Sequence, residues 1–158
     1  MTGLRLVGQH PVAHEGGIHV PTSDPWGMLP AVDGALGRHR LCELRGCAER
    51  ALLDDAPRLA ASLRDSVRAA GATVVAEVVH AFSPHGVTAV LVLAESHVAL
   101  HSWPEHRFAA VDLFTCGGTV DPWCAFDRLG RALGARETSV VEVRRGLRLQ
   151  PPERDGDR

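Results

Sequence analysis

The sequence predicts an α+β fold, an antiparallel β-sheet with two helices on one face. Three observations predict it. Four β-prone runs follow one another between residues 73 and 116, and two helical segments with clear start and stop signals flank them, giving the order βαββββαβ. The 158 residues, 45% hydrophobic and 23% charged, suffice for one globular domain with a core of its own.

Residues 1–35 carry Pro11, Pro21, Pro25 and Pro30, several glycines and weak periodicity, and are expected to form an irregular leader. His10, His14 and His19 are scattered along it without ligand spacing, so no metal is expected there. Residues 36–149 form the domain, beginning with a short strand at 39–44. Asp55 then offers an N-cap, Pro57 suits the first helical turn, where its missing N–H is harmless, and Gly71 is a stop. Leu52, Leu59, Leu63, Val67 and Ala70 make one apolar stripe on this helix, with its arginines on a solvated surface.

Strands are expected at 73–82, 87–94, 97–103 and 108–116. The run from Gly86 to Ala94 is almost continuously apolar, which suggests a strand buried on both sides. The next two alternate with period two. Paired as a hairpin turning at 104–107, they put Val98, Leu100, Val111 and Leu113 on a shared core face and His101, Asp112 and Cys116 on the other. Glu95-Ser96 falls in the tight connection between two central strands. Asp121 as N-cap, Pro122 at the first helical position, an apolar face of Trp123, Phe126, Leu129 and Leu133, and Gly134 as terminator define the second helix. A last strand at 138–144 precedes a polar tail at 150–158.

With both helices on one face, the other face of the sheet stays uncovered. An apolar face of that size predicts self-association, two sheets packing face to face into a sandwich flanked by helices.

Several function classes are excluded by composition. A formal charge of -2 without a basic block argues against nucleic acid or an anionic membrane as the main partner. No run reaches membrane-spanning length and no signal-peptide pattern opens the chain, so a soluble, cytoplasmic protein is expected. Cys42, Cys47, Cys116 and Cys124 fit neither a CxxC pair nor a disulfide framework, and Cys42, Cys47 and Cys124 read as reduced thiols. His97 and His101, four apart on a strand, stand about 13 Å from one another, too far to share zinc. No metal is expected.

Reactive polar groups remain inside otherwise apolar strands, where they are costly unless satisfied or used. They lie in the run Ala94-Glu95-Ser96-His97-Val98-Ala99-Leu100-His101-Ser102-Trp103-Pro104-Glu105 and in Ala109-Ala110-Val111-Asp112-Leu113-Phe114-Thr115-Cys116-Gly117. With Leu36-Gly37-Arg38-His39, Gly71-Ala72-Thr73, the stretch from His80 to Gly86, and Val120-Asp121-Pro122-Trp123, these runs resemble the prokaryotic S-adenosylmethionine decarboxylases over about residues 36–147. Members of that family make their own pyruvoyl group and act in spermidine synthesis.

The resemblance implies autocatalytic cleavage between Glu95 and Ser96, giving a β chain of 1–95 and an α chain whose first residue, Ser96, becomes the covalent pyruvoyl cofactor. The serine hydroxyl attacks the preceding carbonyl, and elimination from the resulting ester and loss of ammonia leave the ketone. By the same resemblance His101 is the base that removes the Ser96 Cα proton, a task that suits an imidazole. Thr88 stands where most relatives have the serine that serves as oxyanion donor; it keeps the hydroxyl but is stiffer at χ1. Cys116 returns a proton to the substrate carbon, Phe82 stacks on the adenine, and Glu105 takes the ribose hydroxyls. Arg107 stands where relatives usually have glycine, and its guanidinium either pairs with Glu105 or points into solvent. The small-molecule substrate implied is S-adenosylmethionine, with arginine or ornithine as the same-fold alternative, and an unprocessed ligand- or partner-binding homologue as the non-enzymatic one. The assembly implied is a homodimer of processed αβ protomers, with active sites near the interface.

Overall fold

In the computed structural model residues 4–11, 35–94 and 96–147 are described. The elements are β1 (Leu4–Pro11), β2 (Ala35–Arg45), α1 (Arg50–Asp54), α2 (Ala56–Ala69), β3 (Val74–Ala81), β4 (Val87–Leu93), β5 (Ser96–Trp103), a 3-10 turn (Pro104–His106), β6 (Phe108–Thr115), α3 (Pro122–Leu133) and β7 (Glu137–Leu147). They build one seven-stranded sheet in the order β1-β7-β2-β6-β5-β4-β3, every neighbouring pair antiparallel.

The expected hairpin has the expected register: Val98 faces Leu113 and Leu100 faces Val111, all four buried. α2 and α3 pack on that face and on each other, so the α+β architecture with both helices on one side is the observed one. Asp55 caps α2 by accepting from the Arg58 N–H at 3.1 Å, and Asp121 caps α3 by accepting from Trp123 at 2.9 Å and Cys124 at 3.2 Å. Gly134, in the left-handed conformation, ends α3. Leu59, Leu63 and Val67 from α2 and Phe126, Leu129 and Leu133 from α3 fill the space over the sheet. Each such side chain removed from water stabilises the fold by about 1.5–3 kcal/mol.

Four features differ from expectation. Residues 4–11, assigned to an irregular leader, form β1, hydrogen-bonded along β7 from Leu4 opposite Val143 to Pro11 opposite Glu137. This pairing is non-local, supplied by the free edge of the last strand, and leaves little periodicity in the segment itself. The rest of the leader, with His14 and His19, and the polar tail lie outside the described residues. Leu52 belongs to the separate short helix α1, because Asp55 at φ −96°, ψ 92° breaks the helical path before α2. Arg64 is not simply solvated: it holds Glu77 of β3 through a forked pair at 2.8–2.9 Å. Finally, β4 is buried on one side only, with Val92 46% exposed. Its second face belongs to the helix-free side of the sheet, where Val78 of β3 is 69% exposed.

Candidate active site

The site residues fall into two groups at opposite ends of β5. In the first, Thr88 of β4 lies directly across from His101 of β5, and the Thr88 Oγ1 and His101 Nδ1 share a hydrogen bond. His80 of β3 flanks Thr88 on its other side. The His101 ring sits edge-on to Trp103 at 4.2 Å between centroids, and Phe82, just past β3, lies 5.6 Å from His101 and 4.6 Å from His80. Phe82 keeps 45% of its surface exposed, so a flat ring has somewhere to stack. Glu105, exposed in the 3-10 turn, follows Trp103 and Pro104.

The second group is built on the first residue of β5. Ser96 pairs with Leu93 of β4 and with Thr115 of β6, and Cys116, exposed, directly follows Thr115. The Ser96 hydroxyl is buried and has no hydrogen-bond partner among the described residues. A buried hydroxyl left unpaired is costly, and the His39 Nε2 and Arg40 Nε are likewise buried without a partner among the described residues. Glu95, the other half of the expected cleavage site, lies outside the described residues.

Behind Ser96 stands a buried charge network. Arg40 of β2, 4% exposed, donates from Nη1 to the Thr115 hydroxyl at 3.1 Å and pairs through Nη2 with Glu142 of β7 at 2.8 Å, and Arg38 adds a second cation 3.3 Å from Glu142. Burial pulls Arg40 down in pKa and Glu142 works against that shift. On the open face, burial also lowers His39, which packs near Phe114 and His97. Cys42 and Cys47 are spectators. Burial pushes the Cys42 thiol strongly up and the Cys47 thiol up to about 11, so neither is a thiolate at neutral pH.

The two groups do not meet within one chain. Ser96 and His101 are five residues apart along a strand, about 16 Å at the usual rise per residue. The alternation of β5 gives Ser96 the parity of buried Val98 and Leu100, and His101 the opposite one. Arg107 also differs from both sequence-based alternatives. It takes the left-handed conformation at φ 53°, ψ 46°, the shape for which glycine is usual, and its Nε donates to the Cys47 carbonyl at 3.0 Å while the Cys47 N–H donates back to the Arg107 carbonyl at 2.9 Å. Sequence reasoning passed over His80 and Trp103 as site residues. Their ring contacts with Phe82 and His101 come from strand register, for which the period-two pattern of 97–103 was the available signal.

The family model described as S-adenosylmethionine decarboxylase matches residues 38–146. Fold and family model together therefore define an enzyme of the decarboxylase class. Similar chains include the S-adenosylmethionine decarboxylase proenzyme of Thermotoga maritima, 45% identical over 112 residues covering 71% of this chain and 85% of that one. The proenzyme of the same name from Methanococcus maripaludis is 45% identical over 71% of this chain and 91% of its own. The crystal structure of the adenosylmethionine decarboxylase from Aquifex aeolicus superposes with a TM-score of 0.65 at 31% identity, covering 76% of this chain and 98% of that one. The chain belongs to the S-adenosylmethionine decarboxylase family.

Proposed function

We propose that this chain cleaves itself between Glu95 and Ser96 and then decarboxylates S-adenosylmethionine, forming the aminopropyl donor of spermidine synthesis, as a cytoplasmic homodimer. The observation that carries the reading is the Ser96 hydroxyl, buried without a hydrogen-bond partner among the described residues at the start of a central strand, opposite Thr115, which Cys116 directly follows. That donor set fits a pyruvoyl group derived from Ser96. Such a group supplies an electron sink for the carboxylate carbon's bonding pair. The chain's own residues do the rest. His101, its Nδ1 engaged by Thr88, has Nε2 left to take the Ser96 Cα proton during processing, and the Thr88 hydroxyl donates to the oxyanion formed when Ser96 attacks. Cys116, as a thiol, returns a proton to the substrate carbon. Phe82 stacks against the adenine, and Glu105 accepts from the ribose hydroxyls.

Because Ser96 and His101 stand about 16 Å apart on one strand, each complete site takes Ser96 and Cys116 from one chain and Thr88, His101, Phe82 and Glu105 from the other. Two helix-free sheet faces packed together cover Val78 and Val92. Turnover of arginine or ornithine is the rival. Arg107, one of the departures that favoured it, spends its Nε on the Cys47 carbonyl.

Denaturing mass spectrometry of the purified protein tests the reading: two chains split at 95/96 and a carbonyl that reacts with phenylhydrazine are expected, both lost in Ser96→Ala. Carbon dioxide release from S-adenosylmethionine, and not from arginine or ornithine, completes it. An intact wild-type chain overturns the proposal.

A further inference from the structure

The described structure contains a link between the two turns that carry the substrate-recognition residues. α1 sits between them. From its first residue, the Arg50 Nε donates to the Pro104 carbonyl at 3.2 Å, at the base of the turn that bears Glu105. From its last, the Asp54 Oδ1 accepts the Gly86 N–H at 2.9 Å, and Oδ2 lies 3.3 Å from the His85 Nδ1, in the turn that begins at Phe82. Residues four apart on a helix share a face, so one turn of helix grips both.

The grip is tight on the Phe82 side. The Phe82 N–H donates to the Gly86 carbonyl at 2.8 Å, so the residue held by Asp54 closes the loop that carries the ring. Gly86, at φ +98°, lies so close to the Ser102 backbone that a Cβ added there would be 2.8 Å from the Ser102 carbonyl oxygen. The buried Ser102 hydroxyl donates to the Leu53 carbonyl at 2.7 Å and accepts the Val87 N–H at 2.9 Å, tying the same helix to the start of β4, one residue before Thr88. On the Glu105 side, the paired bonds between Cys47 and Arg107 fasten the other end of the turn to the segment leading into α1. Nothing in the chemistry of cleavage or decarboxylation uses Arg50 or Asp54.

We infer that Arg50 and Asp54 are positioning residues for substrate binding: α1 is a brace that sets the separation between Phe82 and Glu105, and so the fit of a nucleoside between its base and its ribose hydroxyls. The inference rests on the substrate assignment above. Loosening either end blurs the geometry of the pocket without touching the groups that react, so affinity falls and chemistry does not.

The test is steady-state kinetics on the self-processed enzyme, with the extent of cleavage followed by mass spectrometry. Arg50→Ala and Asp54→Ala are expected to raise KM for S-adenosylmethionine about three- to tenfold with kcat within about twofold of wild type, and with cleavage at 95/96 as complete as in wild type. Asp54→Asn keeps an acceptor for the Gly86 N–H and Arg50→Lys keeps a donor for the Pro104 carbonyl, so both are expected to recover most of the affinity. The double alanine variant is expected to lose less than the product of the two single losses, because both act through one brace. Unchanged KM in both alanine variants of an enzyme that turns over S-adenosylmethionine overturns the brace and leaves the function standing. A parallel fall in kcat and thermal stability, without rescue by Asn or Lys, reduces the two residues to scaffold and also overturns it. A processed wild-type enzyme that ignores S-adenosylmethionine overturns the substrate assignment and the brace's role with it.

Discussion

Thr88 and His101 show how much of a site one pair of side chains determines. Their hydrogen bond requires direct opposition across β4 and β5, and it ties down the imidazole through Nδ1, leaving the second ring nitrogen available for a proton. The threonine methyl is incidental to this; the hydroxyl is not. Thr88→Ser is therefore expected to cleave at least as fast as wild type, since it keeps the donor and frees χ1. Thr88→Val keeps the β-branched shape without the hydroxyl, and self-cleavage is expected to slow by about a hundredfold or more, the size of a lost oxyanion donor. A time course of chain splitting on denaturing gels separates the two. Equal rates in both variants would return Thr88 to the role of an ordinary strand residue. Ser96 was singled out in the sequence by its neighbours; that its hydroxyl is buried and unpaired among the described residues emerges only when β4 and β6 close around it.

The instructive element is the β5–β6 turn. Arg107 occupies a left-handed position, at a cost of about 1–2 kcal/mol for a residue with a Cβ. Its guanidinium offsets this with a charge-assisted bond to the Cys47 carbonyl, of about 1.5–3 kcal/mol. Arg107→Gly gives up the bond but relieves the backbone, and is expected within about 1 kcal/mol of wild-type stability. Arg107→Val loses the bond and strains a β-branched residue, and is expected to cost about 3 kcal/mol or more. Urea unfolding midpoints at an unchanged m-value check both. Helices α2 and α3 were legible to within a residue or two, because an Asp-x-Pro or Asp-Pro start and a glycine stop are local chemistry. α1 was not. A five-residue helix has no periodicity to read, and it exists because Ser102, Gly86 and Pro104 hold it in place.

For the whole molecule, the decisive quantity is the distance between the two ends of β5. If each site is shared between two chains, Ser96→Ala and His101→Ala, each silent alone, are expected to complement one another. In a mixed dimer one site keeps Ser96 from one chain and His101 from the other, and the second site has neither. Co-expression is then expected to restore cleavage of the His101→Ala chain, up to about half the random pairs carrying one competent site. Absence of any cleaved His101→Ala chain would mean that both groups act within one chain. The open face, with Val78 and Val92 exposed, is the surface such a dimer uses.

By itself the sequence determined the α+β class, the register of the β5–β6 hairpin, both capped helices and the family the chain belongs to, because alternation, capping and ordered motifs are encoded over a few neighbouring positions. Only the tertiary structure decided that residues 4–11 complete the sheet, that Arg107 turns to Cys47, that α1 joins the turns carrying Phe82 and Glu105, and that Ser96 and His101 stand at opposite ends of a strand. Each of these depends on contacts between segments far apart in the chain, and such contacts leave no periodic mark on either segment alone.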